Sequence, residues 1–443
     1  MTIGGGRRES GQSDHALHQV GSAEFSGVSP NQGSSLAVSP NARWSATDPG
    51  PPPRTPAPLL ADLDALRRLA GGAYRSGRID EAGDAQSAVL AMATLSGAAQ
   101  ADDFLFAGLI CHAARRLSDG IDVLRQGLGL YPENAALHEN LAVLLLANGD
   151  IADAIASCQA ALALGSASPN VHDCLSEAYQ RAGRLDLAVA AGRASLDAKD
   201  RRFGGAEPIV SMPAGLPPAF NLGRPEQNII AYSLWGNQPR YHVPLLENAR
   251  IRPHLFPAWT IRVYHDHTVD PSYLVQLAAN GVQLHPMALP PAVPEHRRLL
   301  WRFEVFADPE VQRFLIRDAD SLLTVKERVA VDAWLQSDFH FHAMRDWYTH
   351  TDLLLAGMWG GVGGILPTPA TLMRRHSFFR MENDHIDQDL LTETVWPVVR
   401  RAILIHDSIF QPCLGSLPFP PFGFLPDGHH IGQNAFLHFS KTG

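Results

Sequence analysis

Cysteine is scarce in this 443-residue chain: Cys111, Cys158, Cys174 and Cys413 are the whole complement, and no two form a CxxC pair. That scarcity argues against a disulfide framework or a thiolate metal cluster, and reduced thiols in a cytoplasmic protein are the expectation. No apolar run approaches the ~18 uninterrupted residues of a membrane span. Arg7-Arg8 are followed by no apolar core, so no secretory signal is expected. A basic stripe is also missing, and a formal net charge of -9 argues against a nucleic-acid-binding face. What the chain does have is length for two or three domains and a hydrophobic fraction of 45%, enough for sizeable cores.

Three segments differ in character. Residues 1–58 are rich in Gly, Ser, Pro and Asn and end near Pro51-Pro52-Pro53; with few large apolar groups they read as a disordered tail. Residues 59–200 are Ala- and Leu-rich with helical periodicity. Gly77-Arg78-Ile79-Asp80-Glu81-Ala82 matches Gly149-Asp150-Ile151-Ala152-Asp153-Ala154 and Gly183-Arg184-Leu185-Asp186-Leu187-Ala188, with Arg116-Leu117-Ser118-Asp119-Gly120 as a weaker copy. The last two full copies are 34 positions apart, the period of tetratricopeptide repeats. The region resembles an array of about four such helical hairpins, which bury their apolar faces only by stacking. An array of this kind binds peptides, self-associates or caps a neighbour. Residues 201–227, with Met212-Pro213-Ala214-Gly215, read as a linker.

From residue 228 to 443 strands alternate with helices. Strands are expected at 228–235, 260–266, 282–285 and 313–317, with helices at about 241–254, 272–279 and 296–307 between them. Repeated βα units imply a mostly parallel sheet covered on both faces. The fourth strand, Arg313-Phe314-Leu315-Ile316-Arg317, runs into Asp318-Ala319-Asp320. On a continuing strand the two carboxylates would share a face, where hard oxygen ligands can hold a divalent cation against phosphate oxygens. Alternation puts Arg317 on the opposite face from Asp318. Ligands of such sheets bind beyond the carboxyl ends of strands, where this pair falls.

Several other residues are candidates, each with a plainer alternative. Asp387-Gln388-Asp389 precedes an amphipathic helix, and Asp387 is either a site carboxylate or an N-cap. Arg345-Asp346 closes another strand, as an ion pair or as an acceptor-side base with its cation. Trp359-Gly360, in a Gly-rich stretch, either packs or lets backbone approach a ligand. Arg302 and Arg317 either pair a diphosphate or neutralise the acidic cluster. His406, after Ala402-Ile403-Leu404-Ile405, is a core histidine or a ligand, and His438 lies near the end of the sequence.

The series strand, Asp-Ala-Asp, Gly-containing segment, Asp-Gln-Asp, late His-Phe-Ser resembles nucleotide-sugar-dependent glycosyltransferases of the GT-A fold. Family-8 enzymes are nearest for the Asp-Gln-Asp and His-Phe elements. Tyr232-Ser233-Leu234-Trp235-Gly236, Arg317-Asp318-Ala319-Asp320-Ser321 and Met344-Arg345-Asp346 look like a bacterial glycosyltransferase group in which other modules can precede the catalytic domain. The resemblance covers about half of the chain and implies a Rossmann-like GT-A domain over 228–443. It implies donor binding by Ser233, Trp235, Asp266, Arg302, Asp318, Arg345, Trp359 and Gly360. Asp318 and Asp320, with His406 or His438, would hold a divalent metal; an imidazole ligand favours Mn²⁺ over Mg²⁺. Asp387 and Gln388 would lie by the donor sugar, and Asp346 or Asp387 would supply acid/base chemistry. The sequence after His438 lacks the family's Gly-x-x-Lys-Pro-Trp, which leaves the stereochemical outcome and the choice of histidine open.

The expected function is therefore transfer of a sugar from a nucleotide-sugar to a saccharide, lipid-linked or protein acceptor, with the repeats contacting a protein partner or a second copy. A haloacid-dehalogenase-like phosphotransferase is the alternative, since Ile316-Arg317-Asp318-Ala319-Asp320-Ser321-Leu322 also resembles that signature. It normally opens its domain and has Thr or Val at the place of Leu322. An inactive tetratricopeptide adaptor is the third reading.

Overall fold

The computed structural model describes residues 57–290, 293–375 and 385–435. Almost all of the expected tail, and His438, lie outside them. The described chain forms two compact units that meet in sequence between Ser166 and Ala167.

Among the described residues the first unit contains six helices: α1 (Ala57–Arg75), α2 (Ile79–Leu95), α3 (Ala101–Ala113), α4 (Leu117–Leu130), α5 (Ala135–Asn148) and α6 (Ile151–Ala163). They pair as three antiparallel hairpins, and α7 (Pro169–Arg181) with α8 (Leu185–Phe203) forms a fourth, in the second unit. The repeated hexapeptides mark the turns. Gly77, Gly149 and Gly183 take φ of +72°, +92° and +73°, a left-handed conformation that glycine adopts without a Cβ penalty. The weaker copy places Arg115 there at φ +55°. The following residues, Arg78, Arg116, Asp150 and Arg184, all precede the second helix with ψ between 63° and 71°. Three residues into that helix, Ala82, Ala154 and Ala188 are fully buried. At Gly120, the equivalent place, an added Cβ would come within 2.6 Å of Leu144.

The second unit is built on a seven-stranded sheet in the order β3-β2-β1-β4-β6-β5-β7. Its strands are β1 (Asn228–Leu234), β2 (Thr260–His265), β3 (Gln283–Pro286), β4 (Arg313–Ile316), β5 (Phe341–Arg345), β6 (Trp359–Val362) and β7 (Ile403–Asp407). All pairings are parallel except those of β6, so the sheet is mixed but mostly parallel. Connecting helices include α9 (Pro239–Leu255), α10 (Pro271–Ala279) and α11 (Val325–Leu335). The helix expected at 296–307 is a 3-10 helix, Glu295–Phe306.

Alternation along the strands divides the core. Ile229, Ala231, Phe314 and Ile316 pack on one face with Phe303, Phe306, Trp359 and Trp396. Ile230, Tyr232 and Leu315 pack on the other with Trp259, Leu245 and Trp334. Full burial of one such aromatic side chain contributes about 2 kcal/mol of transfer free energy.

The first face also buries Leu196 of α8, with Ile209, Val210 and Met212 packed against it. The α7–α8 hairpin therefore belongs to the α/β unit, and the expected boundary near residue 200 does not separate two bodies. The expected linker is partly built into this core, since burial of its apolar residues outweighs the freedom its Pro and Gly suggest.

Candidate active site

The chain enters the sheet at β1, steps outward to β2 and β3, then returns to β4 on β1's other side. That reversal opens a crevice beyond the carboxyl ends of β1 and β4, the place where open α/β sheets bind ligands. Asp318 and Asp320 lie there, but not on a continuing strand. β4 ends at Ile316, and a turn follows in which Ser321 donates through both its amide and its hydroxyl to the Asp318 carbonyl, at 3.3 and 3.0 Å. The pair therefore splits: Asp320 is buried, while the Asp318 side chain keeps 38% exposure.

A capping box fixes the segment's far end. Thr324 accepts from the Glu327 amide, and Glu327 accepts from the Thr324 amide at 2.8 Å. The other Glu327 oxygen holds the buried Arg317 at 2.8 Å, and Arg317 also donates to the Trp359 carbonyl. Arg317 thus faces away from the acidic pair, and its partner is Glu327 rather than the acidic cluster.

Each acid of the pair meets its own arginine. Arg240, at the start of α9, donates to Asp320 Oδ2 from Nε and Nη2 at 3.1 and 2.9 Å. Arg302, on the 3-10 helix, bridges two carboxylates: Nη1 to Asp318 Oδ1 at 2.5 Å and Nη2 to Asp387 Oδ2 at 2.7 Å. Its Nη1 also donates to the Arg317 carbonyl, and its backbone amide to Ser233 Oγ at 3.0 Å. Burial opposes the charge on Arg302, but Asp318 and Asp387 outweigh it and raise its pKa. Asp387 does not cap its helix; the cap position belongs to His385. Ser233, Arg302, Asp318, Asp320 and Asp387 are thereby brought together.

Asp266, beyond β2, is held by Arg298 at 2.9 Å and by the Thr268 amide at 3.0 Å. Burial alone would raise its pKa, but the Thr268 hydrogen bonds and Arg298 lower it. The Thr268 hydroxyl in turn accepts from the amide of Gly236, next to the half-buried Trp235.

Other candidates have different surroundings. Gln388 spends both ends of its amide on backbone, accepting from Ala356 at 3.0 Å and donating to Leu354, so it shapes that loop. Arg345 is buried and donates to the carbonyls of Asp352 and Leu353 at 3.0 and 2.8 Å, with Asp407 at 3.7 Å; it is scaffold where donor binding was expected. Trp359 is fully buried among Phe303, Phe306 and Phe314, so packing accounts for it. At Gly360 an added Cβ would come within 2.4 Å of the Phe314 carbonyl oxygen; the glycine serves a close approach of strands, not of a ligand.

Of the two roles open to His406, its surroundings match the core one. Its Nδ1 lies 2.8 Å from His342 Nε2, inside the sheet's other half, and three strand spacings, about 14 Å, separate β7 from β4. Burial pushes its pKa down to about 4. It is a core histidine. Asp346 is clamped by Lys326 and by the Ile431 amide at 3.1 Å, beside Trp347 stacked on His430. The chain then crosses to the acidic pair, where the Ala435 amide donates to the Asp320 carbonyl at 2.8 Å.

Arg240, Arg298, Lys326 and Glu327 were missed in the sequence. Arg240 alone had a usable signal, as the first cation after the first strand.

These features define an α/β protein with a carboxylate–arginine cleft at its strand switch point. No family model and no curated protein matches the chain. Among solved structures, an O-GlcNAc transferase mutant from Thermobaculum terrenum aligns at 19% identity and a TM-score of 0.38, covering 58% of this chain. The chain spans 46% of that protein's length. TTC0263, a thermophilic TPR protein of Thermus thermophilus, aligns at 24% identity over 31% of this chain and 73% of its own, with a TM-score of 0.27. MamA aligns at 18% identity over 32% of this chain and 84% of its own, with a TM-score of 0.30. These likenesses are partial, and none carries weight about activity.

Proposed function

We propose that the second unit is a GT-A-type glycosyltransferase that takes a sugar from a nucleotide-diphosphate donor, with family-8-like use of its acidic motifs. The observation that carries this reading is Arg302, a buried cation joining Asp318 to Asp387 at the strand switch point. It unites the two acidic motifs across 69 residues of sequence, which separate Asp318 from Asp387. Asp318 and Asp320 supply hard carboxylate oxygens and already attract two guanidinium cations, so their donor chemistry fits a divalent metal. Such an ion, Mn²⁺ in preference to Mg²⁺ if a histidine joins it, would neutralise charge on the departing diphosphate. Arg302 holds the acidic residues in place, and Asp387 faces the donor sugar. Asp346, fixed by Lys326, stands on the acceptor side. The helical repeats would recruit a protein or a second copy.

Thermal shift with a panel of UDP- and GDP-sugars plus Mn²⁺ tests the reading. A donor at about 100 times its Kd stabilises a folded protein by about 2.7 kcal/mol, which is several degrees in Tm. We expect one donor to produce that rise, and Asp318→Asn and Asp320→Asn each to abolish it. Metal-dependent turnover of phosphomonoesters, lost in Asp318→Asn without any response to sugar nucleotides, would favour the phosphotransferase instead. No response to either substrate class would leave the adaptor reading.

A further inference from the structure

Because β6 runs against its neighbours, the connection from β5 to β6, residues 346–358, both begins and ends at the carboxyl edge of the sheet. It begins at Asp346 and ends beside Asp318. It is tied down at successive points. Ser176 of α7 donates to the Tyr348 carbonyl at 2.7 Å. Lys199 of α8 donates to the Thr351 carbonyl at 3.1 Å and pairs with Asp352 at 2.8 Å. Arg345 takes the carbonyls of Asp352 and Leu353, and Gln388 takes Leu354 and Ala356. At Gly357 a Cβ would lie 1.8 Å from Asp318 Oδ2, so the glycine backbone is the wall against which that carboxylate rests.

Lys199 is the only one of these ties that is a buried cation from outside the sheet. It is held on α8's side by Asp173, at 2.9 Å, and Asp173 is itself fixed by the Ser195 hydroxyl. A lysine this buried, with one carboxylate on the helical hairpin and the other on the loop, resists displacement, since separating the pair leaves charge unpaired in a dry site.

We propose that Lys199 is a positioning residue for the acidic cleft: from the helical hairpin it fixes residues 351–352, and through the tied run 353–357 it sets where the Asp318 carboxylate stands. This assignment rests on the reading of that cleft as the donor site. Its consequence is that the last helical hairpin works as part of the site's frame.

Amide hydrogen exchange on the full chain tests it. In Lys199→Met, exchange over 346–358 should accelerate on the order of a hundredfold while β1 and β2 keep their protection. Lys199→Arg should restore most of the protection. Asp352→Asn leaves Lys199 paired with Asp173 and should give a smaller change in the same segment; it also serves if Lys199→Met fails to fold. In parallel, the Mn²⁺ and sugar-nucleotide concentration giving half of the thermal shift should rise in Lys199→Met and return in Lys199→Arg. Unchanged exchange over 346–358 in both Lys199→Met and Asp352→Asn overturns the proposal, as does equal acceleration throughout the unit. A wild-type protein that responds to no sugar nucleotide, yet shows the local exchange effect, refutes the donor reading and leaves the positioning of the loop standing.

Discussion

At the scale of single residues, Arg302 and Gly357 decide the cleft. Arg302 is a polar hub in a dry place: losing it would leave Asp387 buried without its cation, the costly kind of unpaired charge. Gly357 works by absence. Alanine there would put a methyl group where Asp318 Oδ2 now lies, and the carboxylate tip is the part free to yield. Gly357→Ala should therefore push Asp318 off Arg302 and weaken donor-induced stabilisation about tenfold in half-saturating concentration, about 1.4 kcal/mol. Its urea midpoint should stay near wild type. A titration of the thermal shift beside a urea melt checks this; loss of stability with undiminished donor response would show that Gly357 serves packing alone. None of this could be read from Gly357 in the sequence, where it was one glycine of several around Trp359.

Elements were more legible than their contacts. The strands at 228–234, 260–265 and 313–316 follow from short apolar runs bounded by turn residues, and the repeat turns from Gly77, Gly149 and Gly183. The carboxyl-edge location of Asp318 also followed from strand order along the chain. Periodicity carries no information about reversal, so β6 running antiparallel was invisible. So was the pairing of β5 with β7, which brings His342 to His406 across 64 residues of sequence. That pair makes β5 and β7 pH-sensitive. Burial depresses the His406 pKa to about 4, and burial with His406 and Arg317 nearby holds that of His342 well below the ordinary histidine value. The unfolded chain then takes up protons first as pH falls from about 6.5, so stability is present above that pH and lost progressively down to about pH 4. For His406 alone the loss is about 3 kcal/mol. Glu177 acts with the opposite sign: burial raises its pKa to about 7, so it disfavours the fold as pH rises through that range. Comparing variants isolates the histidines. In His342→Leu/His406→Leu, the drop in urea midpoint between pH 7.5 and pH 5 should shrink markedly relative to wild type, and an equal drop in both proteins would assign the acid sensitivity elsewhere.

For the whole molecule, composition suggested a cut near residue 200, since Ala- and Leu-rich helices give way there to a Pro/Gly-rich stretch. Packing contradicts a cut at that place. Leu196 is fully buried in the sheet's core, and at Gly192 a Cβ would lie 2.1 Å from the Phe410 ring. Asp200 binds Arg400 Nη2 at 2.6 Å and the Trp396 indole at 2.7 Å, and Arg193 donates to the Phe410 carbonyl at 3.0 Å. A chain beginning at residue 204 would lose all of these with Lys199, leaving Asp352 without its cation and a core face open to water. Opening that face and unpairing such a charge cost several kcal/mol together, against a typical total stability of only about 5–15 kcal/mol. A chain beginning at residue 167 loses none of them. The second should melt in one cooperative calorimetric transition and keep its response to sugar nucleotides, while the first should show no such transition. If the chain from 204 melts cooperatively at the same temperature as the chain from 167, the hairpin is an accessory and the sheet stands without it. The expected result instead makes the fourth hairpin part of the α/β fold: a helical repeat in sequence, a wall of the cleft's scaffold in structure.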